Sequence, residues 1–368
     1  MTPRLDFTGA NASGSSRMSI PVFFHPEQLS HRPLYEWAFG DKLDHPETSV
    51  RAEKIIEAVL REPKLFQVQQ PESSPREALE RIHDPVLLRL LTAGATQLAE
   101  DTTMHPSVFP RGPVPHLNPD DVRHAGYYCF DSGTPIARNT LNAALWSAAC
   151  AQEAARHLHT GAPMSYALSR PPGHHAAPAA FGGYCYFNNA AVAALQLPGR
   201  VAILDIDFHH GNGTQDIFYA DDRVLFVSIH GDPQDFFPFY WGHAAERGIG
   251  AGTGFNLNLP LPRGADGQAY LEVLEDRALR AIREFQPDAL VLSAGLDTFE
   301  GDPMGGFTLS QLDLHAVGVR IGRLGVPTVV VQEGGYQVQE LGHNAVALLH
   351  GVHEGLVVPR LHASPGGA

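Results

Sequence analysis

Four short apolar runs, rich in β-branched residues, punctuate the second half of the chain: Val201–Ile206, Val224–Ile229, Ala289–Ala294 and Thr328–Gln332. They are apolar nearly throughout and do not alternate with polar residues. Each therefore reads as a strand buried on both faces, as in a parallel sheet. Tyr166–Ser169 is a shorter candidate of the same kind. Helical patterns lie between the runs. One covers Asp266–Gln286; another covers Ser310–Gly325, with Ser310 as N-cap, Asp313 three residues on, and Gly325 then Pro327 as the stop. Strand and helix alternating at this spacing predict a doubly wound α/β sheet. There is no internal repeat.

Residues 105–135 break the pattern, with six prolines and neither a helical nor a strand period. The aromatic run Tyr127–Phe130 at the end of this insert predicts a packed loop rather than a free one. Residues 1–17 read as a disordered extension, with Met18 as an alternative start, and 18–368 as one domain. The extension lacks the apolar core of a signal peptide, and no apolar run reaches the length of about 18 residues that a membrane span needs. Three cysteines (Cys129, Cys150, Cys185) form no CxxC pair, which fits a reducing, cytoplasmic setting. The formal net charge of −14 argues against nucleic acid as a partner.

Chemistry gathers where the apolar runs end. Arg170–His175 follows the Tyr166 run; Asp205, Asp207, His209 and His210 end the Val201 run; Ser228–Gly231, Gly295–Asp297 and Glu333–Tyr336 end the others. In open α/β sheets ligands bind outside the carboxyl ends of the strands. Along a strand, residues i and i+2 point the same way, so Asp207 and His209 can share one partner. Asp297 adds a third donor, and two carboxylates with one imidazole leave a position for water, as in catalytic zinc sites. His174 and His175 suit paired acid–base work, and Tyr336, after two glycines, suits an oxyanion donor. Tyr184 and the aromatic stretch 236–241 suit a narrow slot.

The motifs RPPGHHA, GGYCYFNN, LDIDFHHGNGTQDIFY, SIHGDP, GLDTFEGDP and EGGY, within Pro21–Glu354, resemble the zinc-dependent histone deacetylase superfamily, in particular its bacterial acetylpolyamine amidohydrolase branch. The resemblance implies an arginase/deacetylase-like α/β fold: an open parallel eight-stranded sheet with helices on both faces. It implies a metal-dependent deacetylase with one Zn²⁺ per chain, Fe²⁺ or Co²⁺ being possible, on Asp207, His209 and Asp297. His175 becomes general base and then acid, with Asn212 behind it. His174 stabilises the oxyanion, with Asp205 behind it, and Tyr336 polarises the scissile carbonyl. Tyr184 and Phe237 become the walls of the substrate tunnel. A structural K⁺ or Na⁺ falls to Asp205, Asp207, His209, Ser228 and Ile229. The implied substrate is a small acetylated amine and the implied assembly a homodimer built by the insert. Where acids of that branch read the substrate's distant ammonium, this chain has Val122 and Gly133; Asp120, Asp121 and Asp131 are expected to substitute. Acetyl-lysine peptides are the alternative substrates, and a non-catalytic acyl-amine binder is the remote alternative. A two-manganese ureohydrolase is disfavoured, because Asp297 is followed by Thr298 and Phe299 rather than by an acid at i+2.

Overall fold

The computed structural model describes residues 19–100 and 102–362; the extension expected at 1–17 lies outside the described residues. Eight strands form one sheet: β1 (Ile20–Phe23), β2 (Phe66–Gln69), β3 (Met164–Ala167), β4 (Val201–Asp205), β5 (Val224–Gly231), β6 (Asn256–Leu261), β7 (Ala289–Ala294) and β8 (Thr328–Gln332). Their order is β6-β5-β4-β7-β8-β3-β1-β2, with every pairing parallel.

The unalternating apolar runs are explained by two cores, one on each face. Successive residues of a strand point to opposite faces, and β4 divides accordingly. Ala202 and Leu204 join a core with Ile55, Val59, Leu314, Val317 and Leu348, from helices Ser49–Leu60, Gln311–Gly322 and Leu341–His362. Val201 and Ile203 join a second core with Leu79, Leu90, Ala148 and Ala191, from helices Arg76–Ile82, Pro85–Gln97, Thr140–His157 and Asn189–Leu195. Helices thus cover both faces. Leu204 is fully buried, so its truncation to Ala should cost ~2–5 kcal/mol.

The Ala289 and Thr328 runs have the expected bounds, whereas β4 stops one residue early, at Asp205, and β5 runs on to Gly231. Ser310 caps its helix in a full capping box with Asp313. The Asp266–Gln286 pattern forms a helix capped by Asp266 and interrupted by a π-turn at Leu274–Leu279. Strands β1, β2 and β6 had no individual signal, being short or proline-bearing and two of them at sheet edges. The insert is closed at its base by an antiparallel pair, Thr103–Met104 with Ile136–Ala137. A 3₁₀ turn at Val122–Tyr127 lies within it, and Val122, Ala125, Tyr128 and Cys129 are buried in the second core. Among the described residues no helix is long and apolar enough to cross a membrane.

Candidate active site

β4 lies at the switch of the sheet, with β5 on one side and β7 on the other, which opens a crevice at its carboxyl end. Asp207 and His209 stand in the turn beyond Asp205 and not on the strand itself. Strand alternation therefore does not bring them together; hydrogen bonding does. Asp205 Oδ1 accepts from Asp207 N–H at 3.0 Å, Asp207 Oδ1 from His209 N–H at 2.8 Å, and Asp297 Oδ1 from Phe208 N–H at 2.8 Å. The carboxylates fold the turn while presenting their donor atoms inward. Gly334 follows β8 and donates its N–H to Asp207 Oδ2 at 2.8 Å. A Cβ there would lie 2.5 Å from Asp297 Oδ2, so the close approach requires glycine.

Donor atoms of Asp207, His209 and Asp297 lie within 4.8 Å of one another. His209 Nδ1 is 3.2 Å from Asp207 Oδ1 and 3.1 Å from Asp297 Oδ2. Both carboxylates are fully buried, and among the described residues neither has a lysine or arginine salt bridge. Burial and the neighbouring Asp207 push the Asp297 carboxyl up to about 7. Burial opposes charging His209, yet the two carboxylates raise it to about 10. Two buried anions facing one imidazole form a site that favours a cation, and this donor set fits a divalent metal.

The adjacent histidines have different second partners. His174 Nδ1 meets Asp205 Oδ2 at 3.0 Å, and His175 Nδ1 meets Asn212 Oδ1 at 2.7 Å. Burial opposes charging His174, but Asp207 and Asp205 raise it to about 10. Burial, reinforced by His174 and His209, holds His175 well below the usual histidine range. His175 is thus the neutral member, with Nδ1–H donated to Asn212 and the lone pair on Nε2. It can accept a proton, whereas His174 can stabilise negative charge.

Tyr336 is buried under Arg51, whose guanidinium lies 4.6 Å from the ring centroid. Arg51 also donates to Gly335 O at 2.5 Å and Glu333 O at 2.6 Å, and pairs with Glu47. The sequence reading missed Arg51. A signal existed: the arginine precedes Ile55 by four positions, on the apolar stripe of its helix.

His175, His209 and Tyr336 open into a cavity of about 650 Å³, also lined by Tyr184, Phe237, Phe130, Met304 and Glu36. Phe237 meets the His175 ring edge-on at 5.0 Å, and Tyr184 meets Tyr336 at 6.0 Å. Within the 236–241 stretch, Phe236 is core, packed on Phe208. Asp120 and Asp121 are not among the lining residues. Asp120 pairs with Arg89, and Asp121 pairs with Arg123 while capping the 3₁₀ turn. Asp131 lines the cavity, but it is turned to structural use, accepting from the N–H groups of Gly133, Thr134 and Gly183. The acid facing the cavity is instead Glu36, from the hairpin Tyr35–Ala38/Asp41–Asp44. Its carboxylate accepts from Tyr184 Oη–H and lies 2.8 Å from where a Cβ on Gly133 would sit, occupying the space Gly133 leaves. Asp205 and Ser228, of the expected monovalent-cation set, are register partners across β4 and β5, and the Ser228 hydroxyl bonds His230 Nδ1.

Residues 45–352 match the histone deacetylase domain family. The chain is 43% identical over 340 residues to acetylpolyamine amidohydrolase 2 of Pseudomonas aeruginosa, covering 90% of this chain and 98% of that protein. It is 44% identical over 314 residues to acetylpolyamine amidohydrolase 1 of the same organism, covering 82% and 89%. The crystal structure of acetylpolyamine aminohydrolase from Burkholderia pseudomallei superposes with a TM-score of 0.87 at 39% identity, covering 92% of this chain and 99% of that one. The family is metal-dependent, in agreement with the donor set found here. Its parallel eight-stranded sheet, its matched domain and these relatives together show that the chain belongs to the histone deacetylase family.

Proposed function

We propose that this protein is a Zn²⁺-dependent amidohydrolase that removes acetyl groups from small N-acetylated amines, in particular acetylated polyamines. The observation that carries the reading is the split between His174 and His175. His174 Nδ1 meets a carboxylate, Asp205, whereas His175 Nδ1 meets the amide oxygen of Asn212, both beside a cluster of three potential metal donors.

Asp207, His209 and Asp297 would hold the ion. Bound there, a divalent metal supplies Lewis acidity, polarising the amide carbonyl and making water nucleophilic near neutral pH. His175 Nε2 takes the proton as water attacks, with Asn212 fixing its tautomer. Tyr336 Oη donates to the carbonyl oxygen as it gains charge, and His174, charged against Asp205, stabilises the same region. His175 then returns the proton to the departing amine nitrogen. Tyr184 and Phe237 flank the alkyl chain, and Glu36 receives the distal ammonium, the role first expected of Asp120, Asp121 and Asp131.

Asp205, Asp207, His209, Ser228 and Ile229 would hold a structural K⁺ or Na⁺; the register pairing of Asp205, which ends β4, with Ser228 inside β5 supports it. A homodimer is supported by exposed apolar side chains around the mouth and on the insert: Trp37, Phe39, Val108, Phe109 and Tyr240. Three buried free thiols fit a cytoplasmic location.

Steady-state kinetics on acetylputrescine, acetylcadaverine and an acetyl-lysine peptide test the reading. Higher kcat/KM on the acetylated diamines is expected. A wild-type enzyme that prefers the peptide would make this a lysine deacetylase.

A further inference from the structure

We propose that Asp302 is a positioning residue for the reaction: it holds the backbone of Tyr336 so that the phenol lines the cavity it shares with His175 and His209, and it ties that orientation to Met304 in the same lining. The inference rests on Tyr336 acting on the substrate carbonyl, as proposed above.

Tyr336 lies in a segment, 333–338, that belongs to neither helix nor strand. Two glycines precede it, and Gly335 has φ +115°, so local conformation does not fix the ring. Two buried groups do. Arg51 holds the carbonyl of Gly335 on one side. On the other, Asp302 Oδ2 accepts from Tyr336 N–H at 2.6 Å and from Gln337 N–H at 2.9 Å. The second oxygen, Oδ1, accepts from Met304 N–H at 2.9 Å. Met304 lines the cavity and Asp302 does not. One carboxylate, only 8% exposed, therefore joins a second residue of the cavity lining to Tyr336.

Three converging N–H groups need a carboxylate. Asparagine offers a single acceptor oxygen and would set its NH₂ against at least one N–H, leaving a buried donor unpaired. Displacing the phenol by a fraction of an ångström weakens its hydrogen bond to the developing oxyanion more than it weakens substrate binding. The loss should therefore fall on kcat.

The test is a double-mutant cycle on metal-loaded enzyme with acetylcadaverine, together with amide hydrogen exchange at Tyr336 and Gln337. Asp302→Asn should lower kcat ~10–100-fold, with KM changed by less than ~3-fold and metal content unchanged. In a Tyr336→Phe background the same change should cost less than ~3-fold, because its route to the chemistry is already gone. Asp302→Glu, which keeps the acceptors, should recover part of the loss. Both amides should exchange slowly in wild type and faster in Asp302→Asn. An equal loss with and without the Tyr336 hydroxyl would reduce Asp302 to a merely structural role and overturn the proposal. So would wild-type Tyr336 and Gln337 amides that exchange as fast as exposed loop amides, a measurement that needs no variant to fold. A wild-type enzyme that cleaves no acetylated amine sinks the functional reading instead, and the exchange result separates the two failures.

Discussion

The hydroxyl of Tyr184 donates a 2.8 Å hydrogen bond to the carboxylate of Glu36, joining the wall of the cavity to a hairpin 148 positions earlier. Burial raises the Glu36 carboxyl, the Tyr184 bond lowers it, and Asp131 raises it further. The pair sets a buried, hydrogen-bonded carboxylate against the aromatic lining of the cavity.

Glu36→Gln should raise KM for an acetylated diamine by ~2–5-fold, since a partly screened charge pair contributes only ~0.2–1 kcal/mol. KM for a neutral N-alkylacetamide of the same length should not change, and the effect on the diamine should shrink with added salt. Equal effects on both substrates would remove Glu36 from ammonium recognition.

Chelation should abolish turnover, and added Zn²⁺, Co²⁺ or Fe²⁺ should restore it, with one catalytic divalent ion per chain by elemental analysis. The three-donor cluster motivates this. Full activity in metal-free protein, or two catalytic ions per chain, would contradict it.

His175→Ala should lower kcat by ~10²–10⁴-fold and Tyr336→Phe by ~10²–10³-fold, the usual effects of losing an acid–base group or an oxyanion donor. Both variants should keep their metal and their melting temperature within a few degrees. A folded variant with near-normal kcat would void the role assigned to that residue.

Replacing the exposed Val108 and Phe109 of the insert by serine should weaken self-association and narrow the preference for acetylated diamines over peptides, because Phe109 both lines the cavity and is exposed beside it. Sedimentation velocity and the two-substrate comparison read the two effects together. An unchanged dimer with unchanged preference would detach the insert from both.

His83 is buried, with its ring bonded to Ala177 O and accepting from Asn188 N–H, so only the neutral form fits. Burial lowers it from 6.5 to about 4. Its contribution to stability is complete above pH 6.5 and lost as pH falls through about 4, on the order of 3 kcal/mol. Chemical denaturation of His83→Gln should therefore show a shallower fall across that window than wild type. Parallel curves would assign the acid loss to other groups.

Much of this site was legible because its signals are local. An apolar run followed at once by Asp205, Asp207 and His209, or by Gly295–Asp297, or by Glu333–Tyr336, marks a strand and its carboxyl end in consecutive residues. The hydrophobic effect sets such strands in one sheet, and their polar ends then have a single crevice to share. That shared crevice is why the candidate metal donors Asp207, His209 and Asp297, the histidine pair and Tyr336 could be picked out from local order.

What tertiary structure decided is which distant groups meet there, and which acids are already committed. Glu36 reaches the cavity only through a hairpin whose two-residue turn puts Phe39 at positive φ, ahead of Gly40, where Asn, Asp or Gly is usual. Arg51 and Asp302 matter through bonds to backbone groups of the Glu333–Gln337 segment, which no periodicity records. Asp120 and Asp121 were reasonable acids by composition. Arg89, 31 positions before Asp120, and Arg123 pair with them away from the cavity. The chain therefore determined the chemistry through local order, while the choice among its carboxylates waited on pairing in space, since a charge acts on whatever lies nearest it in three dimensions.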